Sequence, residues 1–210
     1  LDHNAGFLDD PHFKAIAEKI SVNAELRGLL WRIHTVIWAM QSTKHIPGDF
    51  AELGVFQGYK SFFALNYVDF NSYGKTMWLY DTFEGIPEKY SAKSPVENKI
   101  HNIPNLYEFV TKRFAGFNKT KIVKGIIPDI LEAQSPEKLS FLHLDMNSFE
   151  AEVGALEFLK EKISAGGIVL LDDYGYYAHR AQKDAEDSWA RNNGKSILEL
   201  PTGQGLIFWN

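Results

Sequence analysis

Five short, nearly unbroken apolar runs separated by longer helical stretches constrain the fold of this chain more than any other feature. The runs are Asp49 to Phe56, Thr76 to Phe83, Lys121 to Ile127, Leu139 to Met146 and Gly167 to Leu171. Interiors such as Phe141-Leu142-His143-Leu144 and Ile168-Val169-Leu170-Leu171 present no clean polar face. Strands of that kind are covered on both sides, as in parallel sheets. Helical stretches lie between them, Phe149 to Ile163 among them. The alternation predicts right-handed βαβ units and a doubly wound α/β fold.

The end of the chain departs from that pattern. Ser196 to Leu200 and Leu206 to Trp209 read as two strands joined by Pro201-Thr202-Gly203-Gln204-Gly205. So short a link has no room for a crossover helix, so these strands are expected to be antiparallel. The expectation is therefore a seven-stranded, mostly parallel sheet ending in an antiparallel hairpin, with Gly203-Gln204-Gly205 as its turn. Ahead of the sheet, residues 11 to 45 read as helix. Pro11 follows Asp9 and Asp10, and Phe13, Ile16, Ala17 and Ile20 recur at helical spacing. A second apolar face runs through Leu26, Leu29, Leu30, Ile33, Val36, Ile37 and Met40 before Pro47-Gly48 breaks it. Residues 1–46 are taken as an N-terminal helical extension and 47–210 as the sheet domain. The extension would cap a ligand edge or build a subunit contact, with Trp31 and Trp38 suited to either.

Composition narrows the functional classes. The chain of 210 residues carries 22 basic and 27 acidic side chains, a formal net charge of -5, which disfavours a nucleic-acid partner. It has no cysteine, so disulfides, thiolate catalysis and cysteine-based zinc sites are excluded. A reducing, cytoplasmic setting is the expectation. No apolar run reaches the roughly 20 residues of a membrane helix, so no membrane partner is expected. The sequence opens on Leu1, so a natural start and any targeting signal are expected upstream.

The first predicted strand runs into Glu52-Leu53-Gly54-Val55-Phe56-Gln57-Gly58, with a helix expected from Ser61. Glycines at such a turn let the backbone bend sharply and approach a ligand. Their spacing is G-x-x-x-G, not the G-x-G-x-x-G of dinucleotide sites, and no P-loop lysine follows. The second strand ends in Tyr80-Asp81-Thr82-Phe83-Glu84-Gly85, and an acid there can accept both ribose hydroxyls. Each feature has a plain structural alternative, a tight turn or a capping aspartate. Together they indicate a nucleoside-bearing ligand.

Glu52-Leu-Gly-Val-Phe-Gln-Gly58, Tyr80-Asp-Thr-Phe-Glu-Gly85, Leu144-Asp145 and Gly166-Gly-Ile-Val-Leu-Leu-Asp-Asp-Tyr174, in that order, resemble the macrocin O-methyltransferase (TylF-type) family. The resemblance covers about Pro47 to the C-terminus. It implies a Rossmann-like class I fold, S-adenosylmethionine as methyl donor, a divalent metal, and sugar hydroxyls of natural products as acceptors. It implies that Glu52 and Gly54 meet the methionine end of the donor and Asp81 its ribose. It also implies that Val123 to Ile127, with Gly125 and Ile126, lie by the adenine. Phe56, Gly58, Ser61, Thr82, Phe83 and Asp145 complete the expected donor site.

Asp145 closes the fourth strand and Asp172-Asp173 the fifth. If these strands are neighbours, their carboxylates converge at one rim, where mutual repulsion would protonate one unless a cation intervened. An oxygen-rich set with open positions suits Mg²⁺ best, with Mn²⁺ or Ca²⁺ as alternatives. Asn147 would add a neutral oxygen or bind substrate. Each aspartate taken alone has a capping or loop role as its alternative. The related catechol methyltransferases carry a lysine three residues after the aspartate; here that position is Ser148. Asp145 is therefore the first candidate for the base, and His179 the second. His143 reads as a packed core histidine. Tyr174, Tyr176 and Tyr177 suit either stacking on a sugar or plain packing. Glu88 to Asn105, with several charges and prolines, reads as a loop or lid. The competing functions are a Rossmann-type oxidoreductase and a catalytically silent binding module. A small hydroxyl-bearing acceptor is the expected partner, and a homo-oligomer is allowed.

Overall fold

The computed structural model describes residues 4–20, 28–90 and 103–210. Its sheet has seven strands: β1 Asp49–Leu53, β2 Met77–Asp81, β3 Thr120–Lys124, β4 Leu139–Leu144, β5 Ile163–Leu171, β6 Leu198–Glu199 and β7 Gly205–Phe208. Their order is β3-β2-β1-β4-β5-β7-β6. The first five pair in parallel, and β7 runs antiparallel to both β5 and β6. This is the doubly wound sheet with a terminal hairpin that the apolar runs predict.

The strands β1 to β4 stop short of the apolar runs. Gly54, Phe56 and Phe83 have positive φ of 94°, 48° and 55°, which removes them from the ladder and bends the chain into rim loops. At the N-terminus two helices are described, α1 Pro11–Lys19 and α2 Leu30–Ser42. Residues 21–27, including Leu26, lie outside the described residues. The remaining helices are α3 Tyr59–Tyr67, α4 Leu106–Phe114, α5 Phe149–Leu159 and α6 Arg180–Asn192. Among the described residues no helix is long and apolar enough to cross a membrane.

Side chains alternate across the sheet, so each strand feeds two separate cores. On one face Phe50, Phe141, Ile168 and Leu170 pack with Phe13 of α1, Ile33, Val36 and Met40 of α2, Phe63 of α3 and Phe114 of α4. On the other, Ala51, Leu53, Leu142, Leu144, Val169 and Leu171 pack with Leu156 and Leu159 of α5 and Trp189 of α6. The N-terminal helices are thus part of the main core; each large side chain buried there contributes about 1.5–3 kcal/mol.

The same alternation creates a polar row. Two residues beyond Phe50, Phe141 and Leu170 stand Glu52, His143 and Asp172, on the face covered by α2 and α3. All three are buried. An apolar ladder therefore turns ionic at the carboxyl end of the central strands.

Candidate active site

The strand order reverses between β1 and β4, and ligands in such sheets sit beyond the carboxyl ends at that point. Here the loops after β1 and β4 touch. The Asp145 amide donates to the Leu53 carbonyl at 2.8 Å, and a Cβ at position 54 would lie 2.0 Å from the Asp145 carbonyl oxygen. Only glycine fits that approach. Beside it lies a cavity of about 420 Å³, lined by Gly54, Gly58, Asp81, Gly125, Asp145 and Asp173 among others.

The predicted donor residues divide between the cavity wall and its support. Phe56 and Thr82 also line the wall. Asp81 holds two turns: its Oδ2 accepts from the Phe56 amide and its Oδ1 from the Phe83 amide, both at 2.7 Å. The Phe83 ring packs edge-on to Tyr107 in the core. Glu52 and Ser61 lie buried below the wall, where the Ser61 hydroxyl donates to Glu52 Oε2. Ile127 reaches the cavity, whereas Ile126 does not line it and is partly exposed.

At the other end, carboxylate oxygens of Asp145, Asp172 and Asp173 all lie within 4.8 Å of one another. Three cationic side chains meet them. Lys60 of α3 contacts Asp145 Oδ2 at 2.5 Å and also Asp172 Oδ2. Arg32 of α2 contacts Asp172 Oδ2 at 3.1 Å and Asp173 Oδ1 at 2.6 Å. His143 bridges Asp172 Oδ1 and Glu52 Oε1, each at 3.1 Å, and Gln204 Nε2 donates to Asp172 Oδ1 at 2.9 Å. Burial disfavours charge on Asp172, but Lys60, His143 and Arg32 outweigh it and hold its carboxyl well below the usual range. At Asp145 burial wins, helped by the charges of Asp172 and Asp173 against Lys60 and His143, and its carboxyl is pushed well above that range. Burial likewise opposes the imidazolium of His143, yet its bonds to Asp172 and Glu52 raise it to about 9.

Sequence reasoning named the acids and missed their cations. Arg32 lies between Leu29 and Ile33 on an apolar helix face, where arginine has no packing reason to be. Lys60 is the second residue of α3, where the positive end of the helix dipole disfavours a cation. Both oddities were readable signals. His143 is buried as expected, but as an ionic bridge. Gln204 belongs to the hairpin turn and also reaches Asp172.

Other expected residues lie apart from the cavity. His179 precedes α6 and, like Tyr174, Tyr176 and Tyr177, is not among the lining residues. Tyr174 is buried and donates to Asp187, Tyr176 stacks under Arg32 with 4.8 Å from Cζ to the ring centroid, and Tyr177 is 96% exposed. They do not form one stacking platform. Asn147 lines the cavity, and Ser148 caps α5 through its hydroxyl while donating to the Tyr90 carbonyl. Most of the expected lid, residues 91–102, lies outside the described residues; Ile86 and Pro87 before the lid and Tyr90 within it line the cavity. Arg32 of α2 and Leu29 just before it line the cavity too.

A family model, macrocin O-methyltransferase (TylF), matches residues 29–196. The chain belongs to the macrocin O-methyltransferase family. Within curated proteins it is 30% identical over 181 residues to an 8-demethyl-8-(2,3-dimethoxy-alpha-L-rhamnosyl)-tetracenomycin-C 4'-O-methyltransferase of Streptomyces olivaceus. That match covers 78% of this chain and 66% of the relative, just under two thirds of its length. It is 25% identical to mycinamicin III 3''-O-methyltransferase of Micromonospora griseorubida, over 78% of this chain and 68% of that one. The O-methyltransferase NovP superposes with a TM-score of 0.73 at 20% identity, covering 85% of this chain and 79% of its own. The calicheamicin methyltransferase CalS11 gives 0.69 at 15% identity, covering 100% and 95%. These two structures share the fold of this macrocin O-methyltransferase family member.

Proposed function

We propose that this chain moves the methyl group of S-adenosylmethionine onto a hydroxyl of a sugar or glycosylated natural product, as a cytoplasmic enzyme. One observation carries the reading. The glycine turn and Asp81 line the same cavity as Asp145 and Asp173, so a nucleoside donor and an acceptor hydroxyl at the acidic rim would face each other across one space. The named activities of the tetracenomycin and mycinamicin relatives support a glycoside acceptor.

In this reading Gly54 admits the methionine end of the donor, Asp81 accepts from its ribose, and Gly125 with Ile127 flanks its adenine. The acceptor oxygen forms a bond to the methyl carbon as the carbon–sulfur bond breaks. The electron pair leaves with sulfur as a neutral thioether, and Asp145 takes the hydroxyl proton. A carboxylate of raised proton affinity at the cavity wall suits that role. Holding both reactants in line supplies much of the acceleration.

The acid set also suits a divalent cation: three carboxylates converge with oxygens within 4.8 Å, the hard ligands that Mg²⁺ prefers. Asp145, Asp172 and Asp173 would hold it, in space that Lys60 now shares. When bound, such an ion would stabilise the acceptor alkoxide and orient it.

Incubation with methyl-labelled S-adenosylmethionine and a panel of deoxysugar glycosides tests the proposal. Label is expected in the glycoside, with S-adenosylhomocysteine as co-product. Binding of NAD in place of S-adenosylhomocysteine, or no labelled product across the panel, would contradict it.

A further inference from the structure

The ammonium of Lys60 stands where the carboxylates of a metal site would meet. Its Nζ lies 2.5 Å from Asp145 Oδ2 and also contacts Asp172 Oδ2. Only 13% of the Lys60 side chain is exposed, and Asp172 is fully buried. Arg32 covers the remaining side of Asp172 and reaches Asp173. Each of the three carboxylates therefore already has a protein cation against it.

This arrangement has no explanation in the helix that carries Lys60. Gly58 caps α3 and Lys60 sits in its first turn, where the helix dipole repels positive charge. An ammonium buried there is favourable only because the carboxylates face it. Mg²⁺ or Mn²⁺ needs two or more of the same oxygens at roughly 2.0–2.2 Å, far inside the space an ammonium among them leaves. The two cations exclude each other sterically and electrostatically.

We propose that Lys60 is a built-in competitor for the divalent-cation site formed by Asp145, Asp172 and Asp173, and that it sets the metal concentration at which the site fills. The inference rests on the reading that these acids hold a divalent ion. Lys60 lines the same cavity as Asp145, so its displacement by the ion would also change the charge facing the acceptor.

The test is a titration with Mn²⁺ alone, read by electron paramagnetic resonance of the free ion, on the full chain and its variants. Lys60→Met removes the ammonium and keeps much of the volume. Its Mn²⁺ affinity is expected to rise about tenfold or more, the size of an ordinary coupling between two ligands. Lys60→Arg keeps a cation and is expected to bind no more tightly than the parent. Asp145→Asn is expected to abolish binding in both backgrounds. Equal affinity in the parent and Lys60→Met, with Asp145→Asn still abolishing binding, would overturn the competitor role and leave the metal site standing. Binding indifferent to Asp145→Asn, or absent from every variant, would overturn the metal reading and this inference with it. Should Lys60→Met fold poorly, thermal melting of Lys60→Gln with and without Mn²⁺ decides the same question: a larger Mn²⁺ stabilisation than in the parent supports competition, and an equal one contradicts it.

Discussion

Two clusters of buried carboxyl groups lie close together in this molecule, and they solve the same electrostatic problem differently. Asp145, Asp172 and Asp173 are matched by Lys60, Arg32 and His143. Glu152 of α5 and Glu186 of α6, both fully buried, have no such cation among their bonded partners in the described residues. Their carboxyl groups face each other. Gln182 Nε2 donates to Glu152 Oε2 at 2.9 Å and to Glu186 Oε1 at 3.4 Å. The Met146 amide donates to Glu152 Oε1 at 2.9 Å. Burial and the mutual repulsion of the pair push Glu152 well above its usual range. Burial first, then the charges of Asp173 and Asp187, raise Glu186 to about 7 against its bonds to Glu152 and Gln182. In one cluster, cations hold the charge of Asp172 against burial. The other has its proton affinity raised by burial instead and, through the Met146 amide, holds the loop that carries Asp145.

The sharpest way to break this contrast is to remove the central anion of the compensated cluster. Asp172→Asn would take one carboxylate from each of Lys60, Arg32 and His143 in a buried space. A loss of roughly 3–5 kcal/mol is expected from urea unfolding, as for other broken buried pairs. A loss below about 1 kcal/mol would mean that water reaches the cluster and the compensation is unimportant.

The second cluster predicts the opposite sign. Glu186 binds its proton more tightly folded than unfolded, so it adds stability below about pH 4.5 that fades as the pH climbs to about 7. Glu186→Gln keeps the shape without the titration. The variant is expected to be more stable than the parent at pH 8, by roughly 1–2 kcal/mol, and to lose that advantage by pH 5. Urea unfolding at both pH values checks this; a pH-independent difference would show that the pair holds no shared proton. The smallest effect belongs to an exposed ion pair, Lys124 with Glu84 at 2.5 Å. Lys124→Ala is expected to leave the unfolding midpoint unchanged, because water screens such pairs.

Much of this architecture was legible in the sequence. The parallel sheet follows from runs with no polar face, and the antiparallel end from a link too short for a helix. Asp145, Asp172 and Asp173 were legible because they stand within two residues of the end of an apolar strand, and strand ends in such sheets share a rim. The cations were harder. Lys60 and Arg32 sit on helices, and which strand ends they face depends on how those helices roll against the sheet. His143 looked apolar by its neighbours, since alternation alone does not tell that its face turns polar at Glu52 and Asp172. Gln204 hid in a glycine turn whose second purpose appears only once β7 pairs with β5. The Glu152–Glu186 pair joins two helices 34 positions apart along the chain, a packing fact rather than a motif.

The most direct test of the account separates donor binding from transfer in Asp145→Asn. Calorimetry with S-adenosylhomocysteine would report the first, and single-turnover transfer of labelled methyl to a glycoside acceptor the second. The account predicts that transfer falls roughly 10²–10⁴-fold, the contribution expected of a positioned base, while affinity changes far less. Transfer at the parent rate, or affinity falling as steeply as transfer, would contradict a rim that acts on the acceptor beside an independently built donor pocket.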